Sequence, residues 1–138
     1  MYISRIHPHC VLLGKNFSPK LLENKLPDLI IHQPFEPNQK SNPIHNRKRL
    51  QNTEWGGCRL FTPESVKTHR IEWFFSKILS YKTFLEESGV TDATLWIYWY
   101  GSQGNMELSP KAIVLAHQIG WSLAMDYIYT EEKAGGSF

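Results

Sequence analysis

The segment "TLWIYWYG" at residues 94–101 constrains the fold more than any other part of this chain. It is dense in β-branched and aromatic residues and is followed by a polar turn, a pattern that predicts a strand. Successive side chains of a strand point to opposite faces of the sheet. One face of this strand carries Leu95, Ile97 and Trp99, and the other carries Trp96, Tyr98 and Tyr100. Helices on one side of a sheet bury only one of these sets, so the second set lies on an open face unless a loop or a partner covers it.

Three helix starts are predicted where a hydroxyl residue precedes proline, at Ser18-Pro19, Thr62-Pro63 and Ser109-Pro110. The hydroxyl oxygen can accept a hydrogen bond from a free backbone N–H, and proline needs no such bond at the first helical position. The middle helix is expected to run to about Ser88, and the last to end at Gly120. The first and last of these predicted helix starts have the same sequence, Ser-Pro-Lys. It indicates either an internal strand–helix–strand repeat or the coincidence of a common helix opener.

The buried stripe of the middle helix is predicted to be Ile71, Phe74, Phe75, Ile78 and Leu85. The other strands are predicted at 1–13, 28–33, 55–61, 106–108 and 122–129. Pro8 places the first of them at a sheet edge or a bulge. The order of elements predicts an α+β fold, with an antiparallel or mixed sheet of about six strands and about three helices packed mainly on one face.

The length of 138 residues suits one domain, predicted over residues 1–132, with a long polar loop at 33–54 and a disordered tail at 133–138. Cys10 and Cys58 are too few for a disulfide framework, so buried free thiols are expected. The first residues lack the apolar run of a signal peptide, and no stretch is long enough to span a membrane. A cytoplasmic protein is therefore predicted, and its oligomeric state stays open.

Charge and motifs narrow the function classes. Fifteen basic and thirteen acidic residues give a net charge of +2, which argues against a dedicated DNA-binding protein. No Gly-x-Ser-x-Gly, Gly-rich phosphate loop or His-Glu-x-x-His motif is present, so neither an enzyme nor a cofactor is predicted. His7 and His9 lie on the same side of a strand and could share a metal ion. No third ligand lies at a nearby spacing, so no metal site is predicted.

The candidate site is therefore a partner-binding surface. Exposed aromatic patches mark interfaces, and Trp and Tyr often dominate binding energy. The only dense basic cluster lies in the long loop, where it suits an acidic protein surface or a phosphate, unless it is only a solvated loop. The predicted partner-binding residues are Trp96, Tyr98, Tyr100, Arg47, Lys48 and Arg49. The alternative is that the loop or the first strand folds over the aromatic rings.

The C-terminal block "LSPKAIVLAHQIGWSLAMDYIY" resembles the closing block of a family of small bacterial α/β proteins of unknown function. The positions that carry the likeness are Leu108-Ser109-Pro110, Gly120, and Asp126 with Tyr127 to Tyr129. The likeness extends to "WGGCRLF", the long helix and the aromatic strand. Some members of that family are immunity proteins encoded beside polymorphic or contact-dependent growth inhibition toxins.

The resemblance implies a cytoplasmic protein that binds one cognate toxin domain and neutralises it, and it implies no catalytic residue. The residues themselves leave a second function open. A single-stranded nucleic-acid-binding module would stack bases on the aromatic strand and meet phosphates with the basic loop. The near balance of charge makes that alternative the weaker one.

Overall fold

A mixed five-stranded sheet organises this computed structural model, which describes residues 5–38, 54–101 and 106–129. The strands lie in the order β2-β3-β1-β4-β5, with β4 and β5 parallel and all other neighbours antiparallel. Their bounds are β1 Ile6–Lys15, β2 Ile30–Phe35, β3 Trp55–Phe61, β4 Asp92–Gly101 and β5 Ser122–Tyr129. The α+β class and the mixed sheet are confirmed. The described residues contain five strands instead of about six, and residues 106–108 form no strand.

Two α-helices cover one face of the sheet, where three helices were expected. They are α1, Arg70–Glu87, and α2, Pro110–Ile119. The predicted stripe of α1 is buried as expected. It packs against inward-facing residues of the three central strands, which are Cys10, Leu12, Cys58, Leu60, Leu95 and Ile97. The two thiols therefore belong to the core, as the sequence predicted.

The three predicted helix starts have different outcomes. At α2 the prediction is confirmed, because Ser109 Oγ accepts a hydrogen bond from the Ala112 N–H at 3.1 Å and Gly120 ends the helix with φ of 76°. At the first start, the Ser18 hydroxyl donates to the Glu36 carboxylate instead of capping. Only a four-residue 3-10 turn, Pro19–Leu22, follows it.

The start predicted at Thr62 is also wrong, because α1 begins eight residues later. The Thr62 hydroxyl donates to the Pro8 carbonyl oxygen at 2.9 Å, which removes it from any capping role. The residue before α1 is His69, in the left-handed region with φ of 50°. The two Ser-Pro-Lys segments also differ in topology. β4 and β5 are neighbours joined through α2, whereas β3 lies between β1 and β2.

Pro8 does not place β1 at a sheet edge, since β1 is the central strand. The reason lies in the register. β1 pairs with β4 from Ile6 onward, but its pairing with β3 begins only at His9. Pro8 therefore lies just beyond the end of β3, where a strand neighbour is present on one side only. The local environment is that of an edge, and proline is tolerated there.

Arg70 is a buried cation whose burial no local sequence pattern indicates. The residue is 6% exposed. Its Nε donates to the Ile6 carbonyl oxygen at 3.0 Å, and its Nη1 donates to the carbonyl oxygens of Pro63 and Val66 at 3.0 and 2.6 Å. These bonds tie the first turn of α1 and the 62–69 loop to the start of β1. They fix the position of the β1 segment that contributes to the candidate site.

Candidate functional site: the aromatic face of the sheet

The face of the sheet opposite the helices carries aromatic rings from four neighbouring strands. The strand register brings them together, since His9 lies opposite Phe61 on one side and Trp96 on the other. We call this surface the aromatic face, and it consists of His32 from β2, Phe61 from β3, His7 and His9 from β1, and Trp96, Tyr98 and Tyr100 from β4.

The rings around His9 are stacked across the strands. The ring centroids of His9 and Phe61 are 4.8 Å apart with an interplanar angle of 3°, and those of His9 and Trp96 are 6.3 Å apart at 9°. Because neighbouring strands are about 4.8 Å apart, these rings stand upright on the sheet and face one another. Tyr98 meets His9 edge-on at 4.7 Å, and His32 meets Phe61 edge-on at 5.5 Å. His9 is consequently enclosed, with no exposed surface.

His9 behaves as a neutral ring in this setting. Its Nδ1 lies 3.2 Å from the His7 carbonyl oxygen, so the tautomer that satisfies this acceptor carries its proton on Nδ1. Its Nε2 is buried without a hydrogen-bond partner. Burial lowers the pKa of His9 from 6.5 to about 4. The hydrogen bond to the His7 carbonyl oxygen opposes this shift, and the charges of Arg59 and His7 add smaller contributions that lower the pKa. At neutral pH, His9 therefore contributes shape and stacking but no charge.

The three predicted aromatic residues of β4 all belong to this face. Trp96, Tyr98 and Tyr100 are each partly exposed, so none is sealed inside the fold and none is fully free in solvent. Tyr100 stacks on His7 at 5.4 Å, and its hydroxyl lies 3.4 Å from His7 Nε2. The three side chains thus keep part of their surface exposed, while neighbouring rings contact the remainder.

The predicted basic residues Arg47, Lys48 and Arg49 lie outside the described residues, as does most of the 33–54 loop. Local sequence patterns did not indicate that His9, Phe61 and His32 belong to the site. Alternation in "HPH" did place His7 and His9 on one face, but only the register shows that Phe61 stacks on His9. No local pattern could have supplied that pairing, because the two residues are 52 positions apart.

The surroundings of His7 and His9 do not favour a bound metal ion. His9 Nδ1 already meets a carbonyl oxygen, and its Nε2 is enclosed by rings. Among residues 5–38, 54–101 and 106–129, no group of three or more His, Cys, Asp or Glu side chains is placed to hold a metal ion.

Comparisons of the chain with models of protein families, with curated proteins and with solved structures found no match. The resemblance to a family of small bacterial α/β proteins of unknown function therefore stays a prediction from the sequence blocks quoted above. Within the described part of the chain, neither helix has the combined length and apolar character that crossing a bilayer requires.

Proposed function

We propose that this chain is an immunity-type protein of the bacterial cytoplasm that binds a cognate toxin domain and neutralises it. The observation that carries the proposal is the aromatic face, a rigid layer of partly exposed Trp and Tyr rings on the side of the sheet away from the helices. Such side chains supply large contact area at a low cost in conformational entropy. Neutralisation by occlusion needs complementary shape and charge and no catalytic group.

The ring geometry favours a protein partner over nucleic acid. A base-stacking platform offers the flat face of a ring to each base. On this surface, His9 and its neighbours Phe61 and Trp96 use their faces on one another, and His7 does the same with Tyr100. Upright rings direct their edges outward, and the edges of Trp and Tyr carry the N–H and O–H groups that suit a polar protein surface.

The basic run at Arg47, Lys48 and Arg49 is assigned to the same interface. Three cations would complement an acidic patch on the toxin and speed its capture. Charge at an interface rim acts mainly on the association rate, whereas buried aromatic anchors act on the dissociation rate. The two halves of the proposed surface therefore have separate kinetic signatures.

The test is a binding measurement with the toxin domain encoded beside this gene. Trp96→Ala, Tyr98→Ala and Tyr100→Ala are expected to weaken binding, with at least one loss of about tenfold or more, since single hot-spot residues contribute at that level. The matched control is Tyr81→Ala, a partly exposed tyrosine of α1 in the helix layer. Circular dichroism confirms that each variant folds.

The basic run is tested with the triple variant Arg47→Ala, Lys48→Ala and Arg49→Ala. It is expected to slow association and to flatten the dependence of the association rate on salt. Lys111→Ala, an exposed cation of α2, is the control. Unchanged affinity in all six substitutions would reject this surface. Absence of toxin binding, combined with salt-sensitive binding of single-stranded oligonucleotides that Trp96→Ala abolishes, would reject the function and favour the nucleic-acid alternative.

A further inference from the structure

In the part of the chain that the structure describes, β5 is an edge strand of the sheet. β5 pairs with β4 along its whole length, from Ser122 opposite Thr94 to Tyr129 opposite Gly101. Among the residues that the structure describes, no strand lies on its other side. An edge of this kind presents a row of backbone N–H and C=O groups that another strand can pair with.

Proteins usually protect such edges with charged side chains, lysine above all, or with proline, bulges or short strands. β5 has only one of these devices, the carboxylate of Asp126, since its eight residues are "SLAMDYIY" and its register with β4 is unbroken. The opposite edge strand β2 is different. It has six residues, contains Pro34, and has a register irregularity between His32 and Phe35. The β5 edge is therefore less protected than the β2 edge.

The side chains near this edge are apolar and exposed. Leu123, Met125, Ile128 and Tyr129 are 37%, 44%, 47% and 64% exposed, although three of them are large aliphatic residues. The preceding helix α2 also has two exposed apolar residues, Ile113 and Val114, at 55% and 54%. With roughly 200 Å² for a large side chain, the four β5 residues present on the order of 400 Å², about half of the about 800 Å² per partner of a standard interface.

We propose that the β5 edge binds a second copy of this chain, through antiparallel β5–β5 pairing about a two-fold axis at Met125, to form a continuous ten-stranded sheet. A two-fold axis perpendicular to the sheet keeps the helices of both copies on one side. Helix-side residues of β5 therefore pair with helix-side residues of the other copy. Helix-side residues alternate along β5 with residues of the other face. The two-fold axis must therefore pass through one residue of β5, and not between two residues.

The chemistry of β5 selects among these registers. An axis at Asp126 would place two carboxylates directly opposite each other, which is destabilising. An axis at Ala124 would leave both Ile128 and Tyr129 opposite residues outside β5, and an axis at Tyr127 would leave 122–124 so, whereas an axis at Met125 leaves only Tyr129 opposite a residue outside β5. An axis at Met125 pairs Met125 with the partner's Met125 and Leu123 with the partner's Tyr127. Asp126 then lies opposite the partner's Ala124, away from its own copy.

Self-complementarity is the reason that a second copy fits better than an unrelated strand. Apolar residues stand at both ends of β5 on the helix side, so reversing the strand places apolar side chains against apolar side chains. A dedicated foreign strand would be selected by the one charge, Asp126, through a lysine or arginine of its own. In the two-fold arrangement, the outward backbone N–H and C=O groups of β5 are paired with those of the second copy, and no cation is required.

Cysteine cross-linking tests the register directly. Met125→Cys is expected to form a disulfide-linked dimer under mild oxidation, since the two cysteines face each other across the axis. Asp126→Cys is the matched control. Its two copies are offset by two residues and lie about 8 Å apart, beyond the about 7 Å limit between Cα atoms for a disulfide. The wild-type thiols Cys10 and Cys58 are buried and should give no cross-link on a non-reducing gel.

Sedimentation of the chain alone tests the association. Wild type is expected to have twice the 16.1 kDa mass of one chain. Leu123→Lys should weaken the dimer by at least about tenfold, because one substitution places a cation on both sides of the interface. Leu21→Lys is the control, at a leucine that is 55% exposed outside this edge.

Three results would overturn the proposal. They are a monomeric wild type at millimolar concentration, equal cross-linking of Asp126→Cys and Met125→Cys, or unchanged association of Leu123→Lys. A monomer whose binding to a different protein is lost in Leu123→Lys would assign the edge to a foreign strand instead. None of these measurements uses a toxin, so their outcome is independent of the proposed function.

Discussion

The two faces of the sheet are built from alternate residues of the same strands, yet they pack by different means. In β4, Leu95 and Ile97 are fully buried under the helices, whereas Trp96 and Tyr98 are partly exposed on the opposite side. The helix side is closed by aliphatic and Phe side chains of two layers. On the aromatic face, the side chains pack against one another within the same layer, because their rings stack across β3, β1 and β4.

The side chains of an open sheet face can thus be held in fixed positions without forming a second core. Lateral stacking fixes the rings and leaves their outer edges available. The helix side stabilises the fold, and the aromatic face offers a preorganised surface. Three measurements test whether the helix side and the aromatic face contribute to stability in these different ways.

The largest expected effect separates two adjacent residues of β4. Ile97→Ala removes a fully buried side chain from the helix-side core and should lower the free energy of unfolding by about 2–5 kcal/mol. Tyr98→Ala truncates a partly exposed ring on the aromatic face and should lower it by about 1 kcal/mol. Urea unfolding at pH 7 measures both. Equal losses would show that the aromatic face is a second core and not a prepared surface.

The second effect is the contribution of His9, on the aromatic face, to the pH dependence of stability. The pKa of His9 is about 4 in the folded protein and 6.5 when unfolded. As pH falls below 6.5, the unfolded chain binds a proton that the folded chain does not. Stability therefore decreases between pH 6.5 and 4, by up to about 3 kcal/mol.

His9→Phe is the variant that isolates this effect. Phenylalanine keeps a ring between Phe61 and Trp96 and removes the titrating group, although it gives up the hydrogen bond to the His7 carbonyl oxygen. Unfolding free energies of both proteins at pH 7, 5.5 and 4.5 should diverge, with the variant losing less stability on acidification. Parallel pH profiles would contradict the burial of a neutral His9.

The smallest effect concerns a polar anchor of the helix side. Ser109 Oγ accepts from the Ala112 N–H and donates to Glu72 Oε2 at 2.9 Å, which joins α2 to α1. Ser109→Ala should cost about 1–2 kcal/mol because both bonds are lost. Ser80→Ala is the control, since the exposed Ser80 hydroxyl donates only to the Lys77 carbonyl oxygen in its own helix. A similar loss in both variants would show that the link between the helices contributes nothing.

Periodicity located most elements of the fold. The strands predicted at 55–61 and 122–129 have those bounds in the structure, and the stripe of α1 is buried as expected. These successes share a cause. Alternation within a strand and apolar spacing within a helix are set by residues only a few positions apart.

The failures share a cause as well. Ser18-Pro19 and Ser109-Pro110 are the same local signal, yet only Ser109 caps a helix. The Ser18 hydroxyl has a competing acceptor in Glu36, 18 residues away, and the Thr62 hydroxyl has one in Pro8, 54 residues away. A capping motif shows which hydrogen bond a hydroxyl can form with its own helix. Whether that bond forms depends on competing acceptors that the fold brings in from distant segments.

Local patterns in the sequence are enough to predict that β4 is apolar on both faces, that Ser109 and Gly120 cap α2, and that two thiols are buried. Only the folded chain shows that His9 lies between Phe61 and Trp96, that Arg70 is buried on backbone carbonyl groups, and that β5 is an edge strand among the described strands. The physical reason is range. Backbone preference and side-chain alternation act between near neighbours in the chain, whereas stacking, desolvation and strand order depend on which distant segments the sheet register brings together.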